Sequence, residues 1–209
     1  MSLRRHLDAI FDADRRLRAA EQALFDEGAH GALVALLTAA VDEAQALDDR
    51  EEGSMRLERL ADLCAQVEGP EMADALIAIL DDDDPQVRVV AGEALLDVGY
   101  ERYAEVARAV ERALDDGRGG PAMAELPWVL AEIGEPSALS LIGGFTEHEE
   151  SDVVAAAIEA LLHLGEPAAI ELLRPLEDDD RIAELDGGDE GDSATIGELA
   201  AEAIAGLGG

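Results

Sequence analysis

"DDDDPQVRVVAGEALLDVG", residues 81–99, is the stretch on which the fold turns. Its four aspartates could be a cation cage or a joint between helices, and the residues that follow decide between the two. Asp84 stands where a helix N-cap belongs. Pro85 suits the first helical position, where its missing N–H would have no partner anyway. Acidic side chains at that end also meet the positive pole of the helix. Val87, Val90, Ala91, Ala94, Leu95 and Val98 then recur at the spacing of one buried helical stripe. Gly99 supplies a position that tolerates left-handed backbone where this helix is expected to end. A metal site needs ligands that converge, and a flat aspartate run does not provide them. The stretch reads as a joint.

The same pattern returns along the chain. Gly69, Gly99, Gly134, Gly165 and Gly208 lie 30, 35, 31 and 43 residues apart. Counting back 12, 9, 8, 5, 4 and 1 from Gly165 gives Val153, Ala156, Ala157, Ala160, Leu161 and Leu164. The same count from Gly208 gives Ile196, Leu199, Ala200, Ala203, Ile204 and Leu207. Before Gly134 and Gly69 the pattern holds with one exception each, Glu125 and Glu68. Counting forward 4, 7, 8 and 11 from the first four glycines gives sixteen positions, all apolar or aromatic, such as Ala138, Leu141, Ile142 and Phe145. Each unit is therefore expected to be helix, glycine turn, helix. Periods of this length mark a solenoid.

Composition agrees. Hydrophobic residues make up 48% of the 209, but aromatics only 3%, so the core must be built from Leu, Ala, Val and Ile, which suits closely packed helices. Net charge is -34, and all 15 basic residues are Arg. Residues 1–60 carry 13 acids and 8 Arg, and residues 61–209 carry 36 acids and 7 Arg. Such a surface repels phosphate backbones and anionic lipid, so neither nucleic acid nor membrane is an expected partner. Solvation, salt adaptation in a prokaryote or a basic partner would each account for the acidity. One cysteine excludes an intrachain disulfide, no apolar run is long enough to span a bilayer, and the charged N-terminus lacks the apolar stretch of a signal peptide. A soluble, cytoplasmic protein is expected.

The stretches "DDDDPQVRVVAGEALLDVG", "IGEPSALSLI" (133–142) and "LGEPAAIELLRPLEDDD" (164–180) resemble HEAT repeats, in particular the short bacterial type of phycobilin lyases. Asp84, Val87, Arg88, Ala91, Ala94, Leu95 and Gly99 carry the resemblance best. It implies an all-α fold: a right-handed α-solenoid of antiparallel helix pairs, with the second helix of each pair lining the concave face. A kink at Pro127, inside a first helix, also suits the family.

Domain boundaries follow from the register. Residues 54–209 are expected to hold about five units, the last one a half repeat. Residues 1–53 lie outside the register but pattern as two helices, over 2–27 and about 30–48. Leu3, Leu7, Ile10, Leu17 and Leu24 form a stripe on the first, and Leu33, Leu36, Leu37, Val41 and Leu47 one on the second. An exposed solenoid end needs covering, so 1–53 reads as a helical cap, with "DDREEGS" (48–54) as linker. The period breaks at an insertion, 177–192, in which nine of sixteen residues are acidic and three are glycine; it is expected to be mobile.

Little in the chain points to chemistry. Cys64 occupies a core slot, where it behaves as a small hydrophobe. His6, His30, His148 and His163 have no metal-ligand spacing, and no phosphate loop or nucleophile motif is present. No catalytic, metal-binding or cofactor-binding residue is expected. Trp128 is either a half-buried helix residue or an exposed anchor. On the second helices, the non-core slots give Glu105, Ser140 and Glu171, then Arg108 and Arg174, then Leu139 and Ile170. Arg102 and Arg112 lie on the same helices. These nine residues are the expected partner-binding face, although the arginines also sit where i,i+3 and i,i+4 pairs with Glu105 and Glu171 would form. The expected function is a non-catalytic protein-interaction module or adaptor, monomeric or weakly homo-oligomeric. The alternatives are an acidic inhibitor or immunity-type protein that masks a basic partner, and an accessory factor for an enzyme or chromophore-handling lyase.

Overall fold

The computed structural model describes residues 3–184 and 193–208. The chain runs through α1 (Leu3–Glu27), α2 (His30–Gln45), α3 (Arg50–Ala65), α4 (Pro70–Leu80) and a long α5 (Pro85–Asp115). It continues through α6 (Pro121–Ile133), α7 (Ala138–Phe145), α8 (Ser151–Leu164) and α9 (Ala169–Leu173), followed by a 3-10 turn, Arg174–Leu176. A two-stranded antiparallel ribbon, β1 (Ile182–Glu184) and β2 (Ser193–Thr195), leads into α10 (Ile196–Leu207). Helices pair as α3 with α4, the two arms of α5, α6 with α7, and α8 with α9, and α10 packs on α8 and α9. The result is an all-α solenoid.

One core runs from Leu33 in α2 to Ala203 in α10. Leucine, alanine, valine and isoleucine fill it, and Phe145 is the single aromatic among its buried residues. The counted positions point inward as expected: Val87, Ala91, Ala94, Leu95 and Val98 are buried, with Val90 half-buried beside them.

The aspartate run is a joint. The Asp84 side chain accepts the Gln86 N–H at 2.9 Å and caps α5, and Pro85 occupies its first turn. Asp82 accepts the Asp84 N–H at 2.9 Å. Asp81 reaches into the next unit, where its carboxylate accepts the Ala122 N–H in the first turn of α6 at 3.1 Å. Arg88 closes the loop by donating to the carbonyls of Asp82 and Asp83, at 3.0 and 3.1 Å.

Three expectations need correction. The first concerns Gly99. Gly134 and Gly165 end α6 and α8 in left-handed backbone, each with φ of 68°. Gly99 does not: α5 runs through it, and the non-helical residue is Arg102, with φ -139° and ψ 46°. Gly99 is instead a point of close approach, where a Cβ would stand 2.2 Å from Cδ1 of Ile133 in α6. The second concerns "DDREEGS". Asp49 caps a helix that begins at Arg50 by accepting the Glu52 N–H, so most of that segment belongs to α3. The third concerns the insertion. Residues 182–184 pair with 193–195, and Ala183 is fully buried. Backbone bonding, which needs no apolar content, holds the ribbon: Ser151 Oγ donates to the Ile182 carbonyl at 2.6 Å, and the Glu184 N–H donates to Asp152 at 3.1 Å. Residues 185–192 lie outside the described residues.

At the N-terminal end α2 packs on α3 and α4 and buries Leu33, Leu37, Val41 and Ala44. α1 buries none of its residues. Only its last turns lean on the body, through Leu24 and Phe25 and an Arg59–Glu21 ion pair at 3.1 Å.

Candidate docking surface

The nine residues divide into two groups, and one of them, Arg174, lies in the 3-10 turn that follows α9 rather than on a second helix, because α9 ends at Leu173 ahead of Pro175. Arg102, Glu105 and Arg112 are tied to the preceding unit. Arg102 Nη2 donates to the Ala65 carbonyl at the end of α3, at 2.8 Å, and its Nε lies 3.4 Å from Glu105 Oε2. Glu105 accepts the Gly69 N–H at 3.1 Å, just ahead of α4. The two side chains thus grip both ends of the α3–α4 turn. A guanidinium at a helix C-terminus meets unbonded carbonyls and the negative pole of the dipole, so the placement is favourable twice over. Arg112 reaches back in the same way. It makes three contacts with Asp74 on α4, at 2.8, 2.9 and 3.2 Å, and a longer one with the Pro70 carbonyl.

The remaining six make no such tie to the preceding unit, although Leu139 also leans on the core. Arg108, Ser140, Glu171 and Arg174 are exposed, and Leu139 and Ile170 are half-buried. Arg174 pairs with Glu171 three residues before it, at 2.8 Å, while Arg108 has no ion pair among the described residues. Leu139, Ser140, Ile170 and Glu171 occupy matching slots on α7 and α9, five and six residues after Gly134 and Gly165. They therefore lie side by side in adjacent units.

Arg181 extends the logic of Arg88 and Arg102. It donates to the carbonyls of His148 and Glu149 at 2.8 and 3.0 Å, and it pairs with Asp179 at 2.7 Å. Hydrogen bonding from Arg181 holds the Asp179 carboxyl below the usual carboxylate range. Four arginines of this acidic chain, Arg88, Arg102, Arg112 and Arg181, thus bind carbonyls at joints. Sequence reasoning missed the ties of Arg102, Arg112 and Arg181 to Ala65, Asp74 and His148 because these partners lie 37, 38 and 33 residues away, outside any helical spacing.

Acidic side chains do complementary work. Asp81 and Glu150, from different joints, both converge on the loop before α6. Glu150 accepts the Gly120 N–H at 3.4 Å, beside the Asp81 contact with Ala122. His148 braces the same loop, its Nε2–H donating to the Arg118 carbonyl at 2.7 Å while Nδ1 accepts the Glu150 N–H. The imidazole is a bracket in a turn. Asp84 is held below the ordinary carboxylate range first by the Gln86 N–H and next by the Ser54 side chain of α3.

A second surface lies on the first helices. Val89, Trp128 and Leu162 are exposed on α5, α6 and α8. None falls on the buried offsets counted from its glycine, which was the sequence signal for an outward apolar row. Trp128 stacks against His163 at a tilt, 5.5 Å between ring centres. Two depressions flank it, of about 380 and 340 Å³.

Reactive groups are quiet. Cys64 is fully buried, and burial pushes its thiol up to about 12. Among the described residues no group of three or more His, Cys, Asp or Glu could hold a metal ion. No helix among them is long and apolar enough to cross a membrane.

Residues 123–185 match the family model for HEAT repeats. The matched stretch spans α6 to β1, including both units that share the Gly-Glu-Pro turn. A search of curated proteins found no match for the chain. HEAT repeats generally mediate protein–protein interaction and are typically non-catalytic. Residues 123–185 thus resemble HEAT repeats, and the same glycine register and inward stripe run through α3–α5 before the match and α10 after it.

Proposed function

We propose that the chain is a non-catalytic protein-interaction module, docking a partner on its second helices and the turn after α9 through Arg108, Leu139, Ser140, Ile170, Glu171 and Arg174. The observation that carries this reading is the division of labour on those helices. Arg102, Glu105 and Arg112 fasten one unit to the next, while Arg108, Ser140, Glu171 and Arg174 are exposed, with Ile170 and the outer part of Leu139 half-exposed between them. A fastened frame holds a partner surface in shape before binding, so less ordering entropy is lost on association. Leu139 and Ile170 supply a small apolar centre, and Ser140, Glu171 and Arg174 a polar rim, the usual arrangement of a binding patch. The buried, neutral Cys64 thiol is a poor nucleophile, which agrees with a role without chemistry.

The test is a tagged capture from native lysate, run in parallel with wild type and a Leu139→Glu/Ile170→Glu double variant, with stepwise salt elution. The reading expects a partner that survives high salt on wild type and is lost from the variant; because Leu139 also packs against the core, an Ile170→Glu single variant with an unchanged melting curve repeats the test. Equal capture by both proteins removes the second-helix face from consideration. A partner released from both at low salt supports instead the masking of a basic protein by the acidic surface.

A further inference from the structure

α1 and the outer groove at Trp128 are two surfaces of one chain that the fold leaves uncovered. α1 buries no residue, and its apolar stripe stands in solvent: Leu3 is 88% exposed, Ile10 62% and Phe11 50%, with Leu7 and Leu17 exposed beside them. The stripe continues onto Leu24 and Phe25, which do pack on the body. The first four turns therefore project beyond the solenoid end with a face suited to burial. Their charge is unlike the rest of the protein. Residues 3–18 hold five Arg and three Asp, a net +2 in a chain of net -34.

The groove has the opposite character. Between α5 and α6 its floor is Val89, Leu96 and Trp128, and its rim is Glu93, Glu125 and Glu132. It continues between α6 and α8 over Ala124 and Ala156, with Asp152, Glu159 and Glu184 at the edge. The cation lining both parts, Arg88, is already engaged with the Asp82 and Asp83 carbonyls and lies 3.7 Å from Glu125.

We infer that α1 of one copy docks in the Trp128 groove of a second copy, so that the protein self-associates head to tail. Size agrees with charge. Sixteen helical residues span about 24 Å. Three first helices packed about 8–10 Å apart present a track of roughly 16–20 Å. Leu7, Ile10 and Phe11 cover the apolar floor, and the arginines meet the glutamate rim and the face of the indole, where a guanidinium is favoured. The pairing joins different surfaces on the two copies, so a bound pair still offers one free groove and one free helix.

The test uses two full-length variants, each lacking one half of the contact. Leu7→Glu/Ile10→Glu spoils the helix, and Trp128→Ala spoils the groove. All three substituted positions are solvent-exposed, and circular dichroism melts check that both variants fold. By sedimentation velocity, wild type is expected to rise above the 22.0 kDa monomer as concentration increases, while each variant alone stays monomeric. Mixed, the two form a one-to-one complex of twice the monomer mass. Because the chain has a single tryptophan, Trp128→Ala is silent in tryptophan emission excited at the red edge, where its two tyrosines do not absorb. An emission shift on mixing therefore reports the groove of the other variant alone. Val89→Glu repeats the groove test with the indole in place. Three results overturn the inference: a wild type that stays monomeric at every concentration, a Trp128→Ala protein that still self-associates while the helix variant does not, or a mixture with no emission change.

Discussion

Replacing Arg102 with alanine tests the claim that the arginines of this solenoid are fasteners. Arg102 is the one non-helical residue inside α5, and its side chain is only 19% exposed. Its Nη2 gives a charge-assisted hydrogen bond to the Ala65 carbonyl at 2.8 Å. A bond of that kind contributes about 1.5–3 kcal/mol. The substitution also strips Glu105, itself largely covered, of its counter-charge, although the Gly69 N–H remains bonded to it. Alanine gains back only a few tenths of a kcal/mol in helix propensity. The expected loss is about 2 kcal/mol, which in a chain of this size lowers Tm by roughly 4–8 °C. Arg112→Ala is the control. Its bonds to Asp74 are as short, but both side chains are 44% exposed, and exposed pairs contribute about 0.2–1 kcal/mol. Urea denaturation of the two variants beside wild type, with hydrogen exchange on α3 and α4, makes the comparison. Arg102→Ala should lose more stability than Arg112→Ala and should open the α3–α4 turn first. An Arg102→Ala protein that melts within a degree of wild type, or that loses less than Arg112→Ala, would refute the fastening argument.

Three further outcomes are expected. Gly197→Ala places a Cβ 2.7 Å from the Glu177 carbonyl oxygen, backbone that cannot swing aside, so α10 should shift at a cost of about 1–3 kcal/mol; an unchanged melting curve would show that the 177–179 segment yields freely. Cys64 should ignore a thiol reagent such as DTNB at pH 8 until denaturant unfolds the chain, because its thiol is fully buried and stays protonated up to about pH 12; rapid labelling of the native protein would contradict the core placement. Deleting residues 1–27 should leave Tm within a few degrees, since α1 contributes no buried residue, whereas deleting residues 1–48 also removes Leu33, Leu37, Val41 and Ala44 and should cause aggregation; equal behaviour of the two truncations would show that α2 is not the covering helix.

The sequence by itself determined the repeat. A period of about thirty residues, marked by Gly69, Gly134 and Gly165, and an inward stripe at fixed offsets leave few ways to bury Val87, Ala91, Leu95, Leu161 and Ala203 other than stacking helix pairs. Local rules also sufficed for the aspartate joint, because an N-cap and a first-turn proline act within a few residues. Tertiary structure decided what depended on distant neighbours. Position 99 carries a glycine that suits a left-handed cap, yet in the fold it serves the close approach of Ile133, and the bend lies at Arg102. Periodicity placed Arg102, Glu105 and Arg112 on an outward face but could not show that the carbonyl of Ala65, the N–H of Gly69 and the carboxylate of Asp74 would meet them there. The stripe of α1 and that of α2 look alike as patterns, and only packing separated the helix that covers the core from the one that projects beyond it. Short-range spacing fixes which face of a helix is apolar; which neighbour meets that face is settled by contacts between residues far apart in the chain.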